Sequence, residues 1–199
     1  LFGGANLPLQ KLNLSFSNIT NAGLSHLRNL QDLEYLNIDY CFVFGFEGLK
    51  HLRNTPLRYL SMNNTLYNNN ILRSKSTAAM VLGIKEYLPQ LEELSIEQWG
   101  NLTDTDVEQL KGLPLLRSLV LKCSPEITSV SLLHLGSMGT LRRLCLQDCG
   151  RIEDKDNEDS LKHLRHLKLE YLNLSGTKIS GKNLLQLSRL PLKRLVLGL

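Results

Sequence analysis

A spacing of L-x-x-L-x-L, set out at Leu9, Leu12 and Leu14, is rewritten along the whole chain. It returns at Leu33, Leu36 and Ile38; at Leu57, Leu60 and Met62; at Leu91, Leu94 and Ile96; and at Leu116, Leu119 and Leu121. Three further copies begin at Leu141, Leu169 and Leu192, about seven and a half units in all. Their starts lie 24, 24, 34, 25, 25, 28 and 23 residues apart. A period of this size constrains the fold strongly, because a unit so short cannot bury its apolar face alone and must stack on its neighbours. Within a unit the period changes. Around Leu12-Asn13-Leu14 apolar and polar residues alternate as in a short strand, whereas Leu24, Leu27 and Leu30 recur at helical spacing. Val107, Leu110 and Leu113, then Leu161, Leu164 and Leu167, then Leu184, Leu187 and Leu190 repeat that helical pattern. Pro8, Pro56, Pro89, Pro114 and Pro191 stand just before the next strand, where a residue without N–H ends a helix.

Such a series resembles the leucine-rich repeat proteins. The segments Asn-Ile-Thr at 18–20, Asn-Leu-Thr-Asp at 101–104, Glu-Ile-Thr at 126–128 and Cys-Gly-Arg-Ile-Glu-Asp at 149–154 are similar to the C-x-x-I-T-D turn of the cysteine-containing class. That class is best known from the substrate-recognition arms of F-box proteins. The cysteine position is loosely kept, with Ser17, Cys41, Thr65, Trp99, Ser124, Cys149 and Thr177 in turn. The resemblance implies an α/β solenoid with a curved parallel β-sheet on its concave face and helices on its convex face. It also implies a protein-recognition scaffold, an adaptor or substrate-receptor arm. Residues 1–199 are expected to form a single repeat domain. The start at Leu1 and the stop at Leu199, just past a strand, suggest a segment of a longer protein and of a larger complex.

Several function classes fit poorly. The net charge is +4, with Lys and Arg interspersed among Asp and Glu, whereas nucleic-acid binding favours a concentrated basic stripe. No apolar run reaches membrane-spanning length. Cys41, Cys123, Cys145 and Cys149 are too few for a disulfide framework, and Cys145-x-x-x-Cys149 lacks a second pair for zinc. Reduced cysteines suit a cytoplasmic or nuclear protein. Five N-x-S/T sequons, at Asn13, Asn18, Asn63, Asn101 and Asn173, keep an extracellular receptor segment open as the alternative. A structural subunit of a large assembly is the other. His26, His51, His134 and His163 each precede the second helical leucine of their unit. They form one column, too widely spaced for shared zinc ligation. Neither a G-x-S-x-G, an H-E-x-x-H nor a Walker A motif is present. No enzyme, cofactor or metal is expected.

What the leucines leave available is the outward side of the strands. Counted from the first leucine of each unit, the third, fifth, seventh and eighth residues point away from the core. The third reads Lys11, Tyr35, Tyr59, Glu93, Ser118, Arg143, Tyr171 and Arg194. The seventh reads Ser15, Asp39, Asn63, Glu97, Lys122, Gln147 and Ser175, and Phe16 and Tyr40 join them at the eighth. Tyrosine suits a protein interface, offering rigid contact area with a polar tip, although it is also a good strand residue. Adjacent strands should set Tyr35 beside Tyr59, with Tyr40 at one edge. Charge divides along the row: acids in units two to four, and Lys122, Arg143 and Arg194 beyond. Trp99 reads as a bulky plug.

The third unit is about ten residues too long. Asn68-Asn69-Asn70 and Arg73-Ser74-Lys75 suggest a projecting loop over residues 66–75, before a helix capped by Ser76 or Thr77. Tyr67, Arg73 and Lys75 are its candidate contact residues, the plainer explanation being a tolerated insertion.

Overall fold

In the computed structural model, residues 7–65, 77–154 and 159–198 are described. Eight three-residue strands, one per unit, form a single parallel sheet in chain order: β1 (Lys11–Asn13), β2 (Tyr35–Asn37), β3 (Tyr59–Ser61), β4 (Glu93–Ser95), β5 (Ser118–Val120), β6 (Arg143–Cys145), β7 (Tyr171–Asn173) and β8 (Arg194–Val196). The register is that of the repeat: Leu12, Leu36, Leu60, Leu94, Leu119, Leu144, Leu172 and Leu195 lie side by side. From Leu36 to Leu172 this ladder is buried to within 1% of complete. Its end members, Leu12 and Leu195, are only partly covered.

The return half of each unit is helical but short. Among the described residues the α-helices are α1 (Asn21–Ser25), α2 (Phe46–Leu49), α3 (Thr77–Tyr87), α4 (Asp104–Leu110) and α5 (Val130–Gly136). The sixth and seventh units return instead through 3₁₀ helices, Ser160–Leu164 and Gly181–Leu187. Leucines three apart serve either geometry, since a 3₁₀ turn brings i and i+3 onto one side as well. Helix α3 is described from Thr77, which is itself helical, while Ser76, the other expected cap, lies outside the described residues. Strands pack about 4.8 Å apart and helices about 8–10 Å apart, so stacking such units makes the strand side the inner, concave one.

The turn after each strand holds the layers in step. In all seven units where it is described, the eighth residue has a positive φ: Phe16, Tyr40, Asn64, Gln98, Cys123, Asp148 and Gly176 fall between 55° and 70°. In the first six of these units its N–H donates to the carbonyl of the seventh residue of the next unit, as in Tyr40 to Asn63 at 2.8 Å and Asp148 to Ser175 at 2.8 Å. The sheet pairing is thereby extended past the strand before the chain turns away. The ninth residue then satisfies carbonyls beneath. The Cys41 thiol donates to the Leu14 carbonyl, the Cys149 thiol to that of Leu121, and Thr65 and Thr177 to Met62 and Leu174 of their own units. Trp99 is fully buried, and its indole N–H donates to the Met62 carbonyl at 2.9 Å, so the plug also completes this ladder. Ser124 departs from it: its buried Oγ has no partner among the described residues.

Candidate functional site

The concave face is built from the third, fifth and seventh residues, all carried on one rigid sheet. At its N-terminal part, Tyr35 and Tyr59 are paired in register and their rings stack, with centroids 4.2 Å apart and planes 8° from parallel. Burial and the neighbouring Tyr35 push the Tyr59 phenol up to about 12. Tyr40 does not complete this cluster as expected. It stacks on Phe16, at 4.3 Å and 9°, because the left-handed turn carries both eighth residues off the strand together. Even so stacked, Phe16 is 76% exposed.

Below the tyrosines runs a polar ladder. Asp39 accepts hydrogen bonds from Ser61 Oγ and the Asn63 amide N–H, both at 2.7 Å. Asn63 repeats the pattern one unit on, accepting from Ser95 Oγ at 2.9 Å and from the Glu97 N–H at 2.8 Å. Asp39 is therefore largely occupied within the chain, and Ser61 and Ser95 are buried under their neighbours instead of projecting freely. Ser118, in the third row, is buried as well. Glu93 is exposed, and Glu97 is half-buried. Burial pushes the Glu97 carboxyl up and Lys122 pulls it back. A hollow of about 390 Å³ opens here, with Asp39, Tyr59, Glu93, Glu97 and Arg143 on its walls.

At the C-terminal part, register again assembles side chains that lie far apart in sequence. Arg143, Tyr171 and Arg194 stand abreast on β6, β7 and β8. The two guanidinium carbons lie 5.1 and 5.7 Å from the tyrosine ring centroid, within cation–π range. The sequence row contained all three residues, and its register was the signal for this stack. The insertion residues Tyr67, Arg73 and Lys75 lie outside the described residues.

All four cysteines are free thiols. Burial pushes Cys123, Cys145 and Cys149 up, the last to about 11, opposite to the shift of an activated nucleophile. Among the described residues no three His, Cys, Asp or Glu side chains gather as a metal set. Of the sequon asparagines, Asn63 and Asn173 are held in the concave hydrogen bonding, while Asn18 and Asn101 are exposed. Among the described residues, no helix is long and apolar enough to cross a membrane.

No family profile and no curated protein sequence matches the chain. Solved structures do. The chain is similar to TLR13 in its complex with ssRNA13, with 22% identity, a TM-score of 0.63, and coverage of 96% of this chain and 25% of that one. It is similar to human 5T4, the trophoblast glycoprotein, with 20% identity, a TM-score of 0.63, and coverage of 96% and 69%. It also resembles yeast Rad7 in its complex with Elc1, with 19% identity, a TM-score of 0.65, and coverage of 95% and 49%. The chain thus spans about a quarter of TLR13 and about half of the Rad7–Elc1 match. These neighbours are leucine-rich repeat proteins, and the fold is the α/β leucine-rich repeat solenoid.

Proposed function

We propose that this domain is a non-enzymatic recognition scaffold that binds a protein partner on its concave face, as an adaptor or substrate-receptor arm of a longer protein. The observation that carries this reading is the Tyr35–Tyr59 stack, two half-buried rings on the outward side of a sheet whose inward side accounts for the core. Asp39, Tyr40, Glu93, Glu97, Lys122, Arg143, Tyr171 and Arg194 make up the rest of the contact surface, and Tyr67, Arg73 and Lys75 of the insertion form a second contact. A fold neighbour solved in a protein complex, Rad7 with Elc1, supports a protein partner. The neighbour solved with RNA carries less weight, because Glu93 and Glu97 on this same face repel a polyanion. Four free thiols favour a cytoplasmic or nuclear setting. Glycan occupancy at the exposed Asn18 or Asn101 would move it outside the cell.

The test is Tyr35→Ala with Tyr59→Ala. Truncating aromatics at an interface centre costs about 2 kcal/mol or more of binding, whereas loss of a ring stack costs about 0.5–1.5 kcal/mol of stability beyond area burial. Proteins captured by the parent domain and identified by mass spectrometry should be lost with the double variant, while its melting temperature falls little. Unchanged capture by a folded variant would remove the tyrosines from the interface.

A further inference from the structure

We infer that the concave face receives one extended segment of the partner protein with divided charge: basic over the fourth unit, acidic over the sixth to eighth, where the Arg143–Tyr171–Arg194 stack seats the acidic end. This rests on the concave face being the docking surface.

The stack is distinguished by what its neighbours lack. In the row beside it, charges are already used: Lys193 pairs with Glu170 at 2.6 Å, Arg58 with Glu92 at 2.5 Å, and Arg142 donates to the carbonyls of Gly139, Thr140 and Leu141. Arg143 and Arg194 are exposed and, among the described residues, have no acidic partner. A guanidinium lying over a ring spends its face and leaves its N–H edge for a carboxylate, which it can grip with two hydrogen bonds. Holding two such groups about one ring also reduces the rotamer freedom that binding must remove. A hollow of about 310 Å³ lies at this stack.

The other end carries the complement. Glu93 is exposed without an ion-pair partner among the described residues, and Glu97, half-buried and drawn down by Lys122, lines the same hollow together with Arg143. A cation arriving there compensates desolvated carboxylate. Asp39, already hydrogen-bonded to Ser61 and Asn63, is a minor contributor.

The separation of the two ends sets a ruler. Glu93 on β4 and Tyr171 on β7 hold the same register position three strands apart. At about 4.8 Å per strand this is about 14 Å, and an extended peptide rises about 3.3 Å per residue. The basic and acidic groups of the partner therefore stand about four residues apart. A nucleic acid, with a phosphate at every step, would satisfy one end and be repelled by the other.

The experiment uses fluorescence anisotropy at low ionic strength with four probes. The first is a synthetic peptide of two lysines, three serine or threonine residues and two glutamates. The second has the same composition with lysines and glutamates adjacent, the third replaces its lysines by glutamate, and the fourth is an oligothymidylate. The divided peptide should bind about tenfold more tightly than the adjacent-charge peptide, the combined effect of two or three exposed ion pairs, and the advantage should shrink with salt. Arg143→Glu with Arg194→Glu, checked for an unchanged melting temperature, should abolish that preference. No measurable binding of the divided peptide, or equal binding of both arrangements, overturns the inference. Tighter binding of the all-acidic peptide or the oligothymidylate overturns it too, the latter pointing to a nucleic-acid ligand. If the arginine reversal leaves peptide binding intact while Tyr35→Ala with Tyr59→Ala removes it, the charge ruler is wrong and the docking face stands. If neither variant matters, both readings fall.

Discussion

The turns of the first two units and those of the next five share one backbone conformation and differ in what they place on it. Asn64, Gln98, Cys123, Asp148 and Gly176 occupy the left-handed position in units three to seven; three of the five are types that enter it readily. Phe16 and Tyr40 occupy it in units one and two, where a bulky side chain costs about 1–2 kcal/mol. Stacking of the two rings offsets about 0.5–1.5 kcal/mol of that cost. In units one to six the conformation is imposed from outside the residue: the eighth N–H is committed to the next unit's carbonyl, and the leucine layers set the distance over which it reaches. The side chain is thereby released from specifying the turn.

If the layers impose the turn, disturbing a layer should loosen it. Leu144 is fully buried between Leu119 and Leu172, so Leu144→Ala is expected to cost about 2–5 kcal/mol by cavity formation. Hydrogen exchange should then rise first at the turn amides of Cys123 and Asp148, which bridge the affected units, and last at Phe16 and Tyr40. Exchange that rises first at the aromatic turns would show that the column is not held layer by layer.

The turn column can also be tested directly. A Cβ added at Gly176 would strike the Asp148 carboxylate and approach its Cα to 3.0 Å at a φ of +70°, so Gly176→Ala should destabilise by about 1–3 kcal/mol. Tyr40→Asn relieves backbone strain and forfeits a ring stack, two terms of similar size, so its net effect on the denaturation midpoint should stay within about 1 kcal/mol. Partner binding should nonetheless weaken. A Tyr40→Asn loss as large as that of Gly176→Ala would make the aromatic pair structural and dissolve the contrast.

The layered half of the fold was legible because leucines at fixed spacing can be buried in only one register, and Leu36 through Leu172 occupy it. The left-handed column was not. Asn64, Asp148 and Gly176 each hinted at a turn of that kind, but Phe16, Tyr40 and Gln98 in equivalent places argue against it on intrinsic preference, and the interlayer hydrogen bond that overrules them is visible only in three dimensions. On the concave face, alignment of the units predicted the Tyr35–Tyr59 neighbours. It could not say that Asp39 would be occupied by Ser61 and Asn63, nor that Tyr40 would leave Tyr35 for Phe16, because both depend on which way side chains lean from a common row. The helical returns at Ser160–Leu164 and Gly181–Leu187 escaped for another reason: a spacing of three is shared by the α and 3₁₀ geometries.

The two aromatic stacks also separate by ionisation, and this is the finest of the expected effects. The Tyr59 phenol lies against Tyr35 and is raised from 10.0 to about 12, first by burial and then by its stacked neighbour. A raised acid favours its protonated form in the fold, so the contribution to stability is fully present below pH 10.0 and is lost as pH climbs toward about 12. An ultraviolet phenolate titration of the folded domain should show a late step near 12 that Tyr59→Phe abolishes. Tyr35→Phe should move the same step earlier, since it removes one of the causes while leaving the ring that buries Tyr59. The decline of stability over that alkaline window should be shallower in Tyr59→Phe than in the parent. If the late step instead survives in Tyr59→Phe, the buried phenol is another residue, and the Tyr35–Tyr59 stack is more open to solvent than the pairing of β2 with β3 implies.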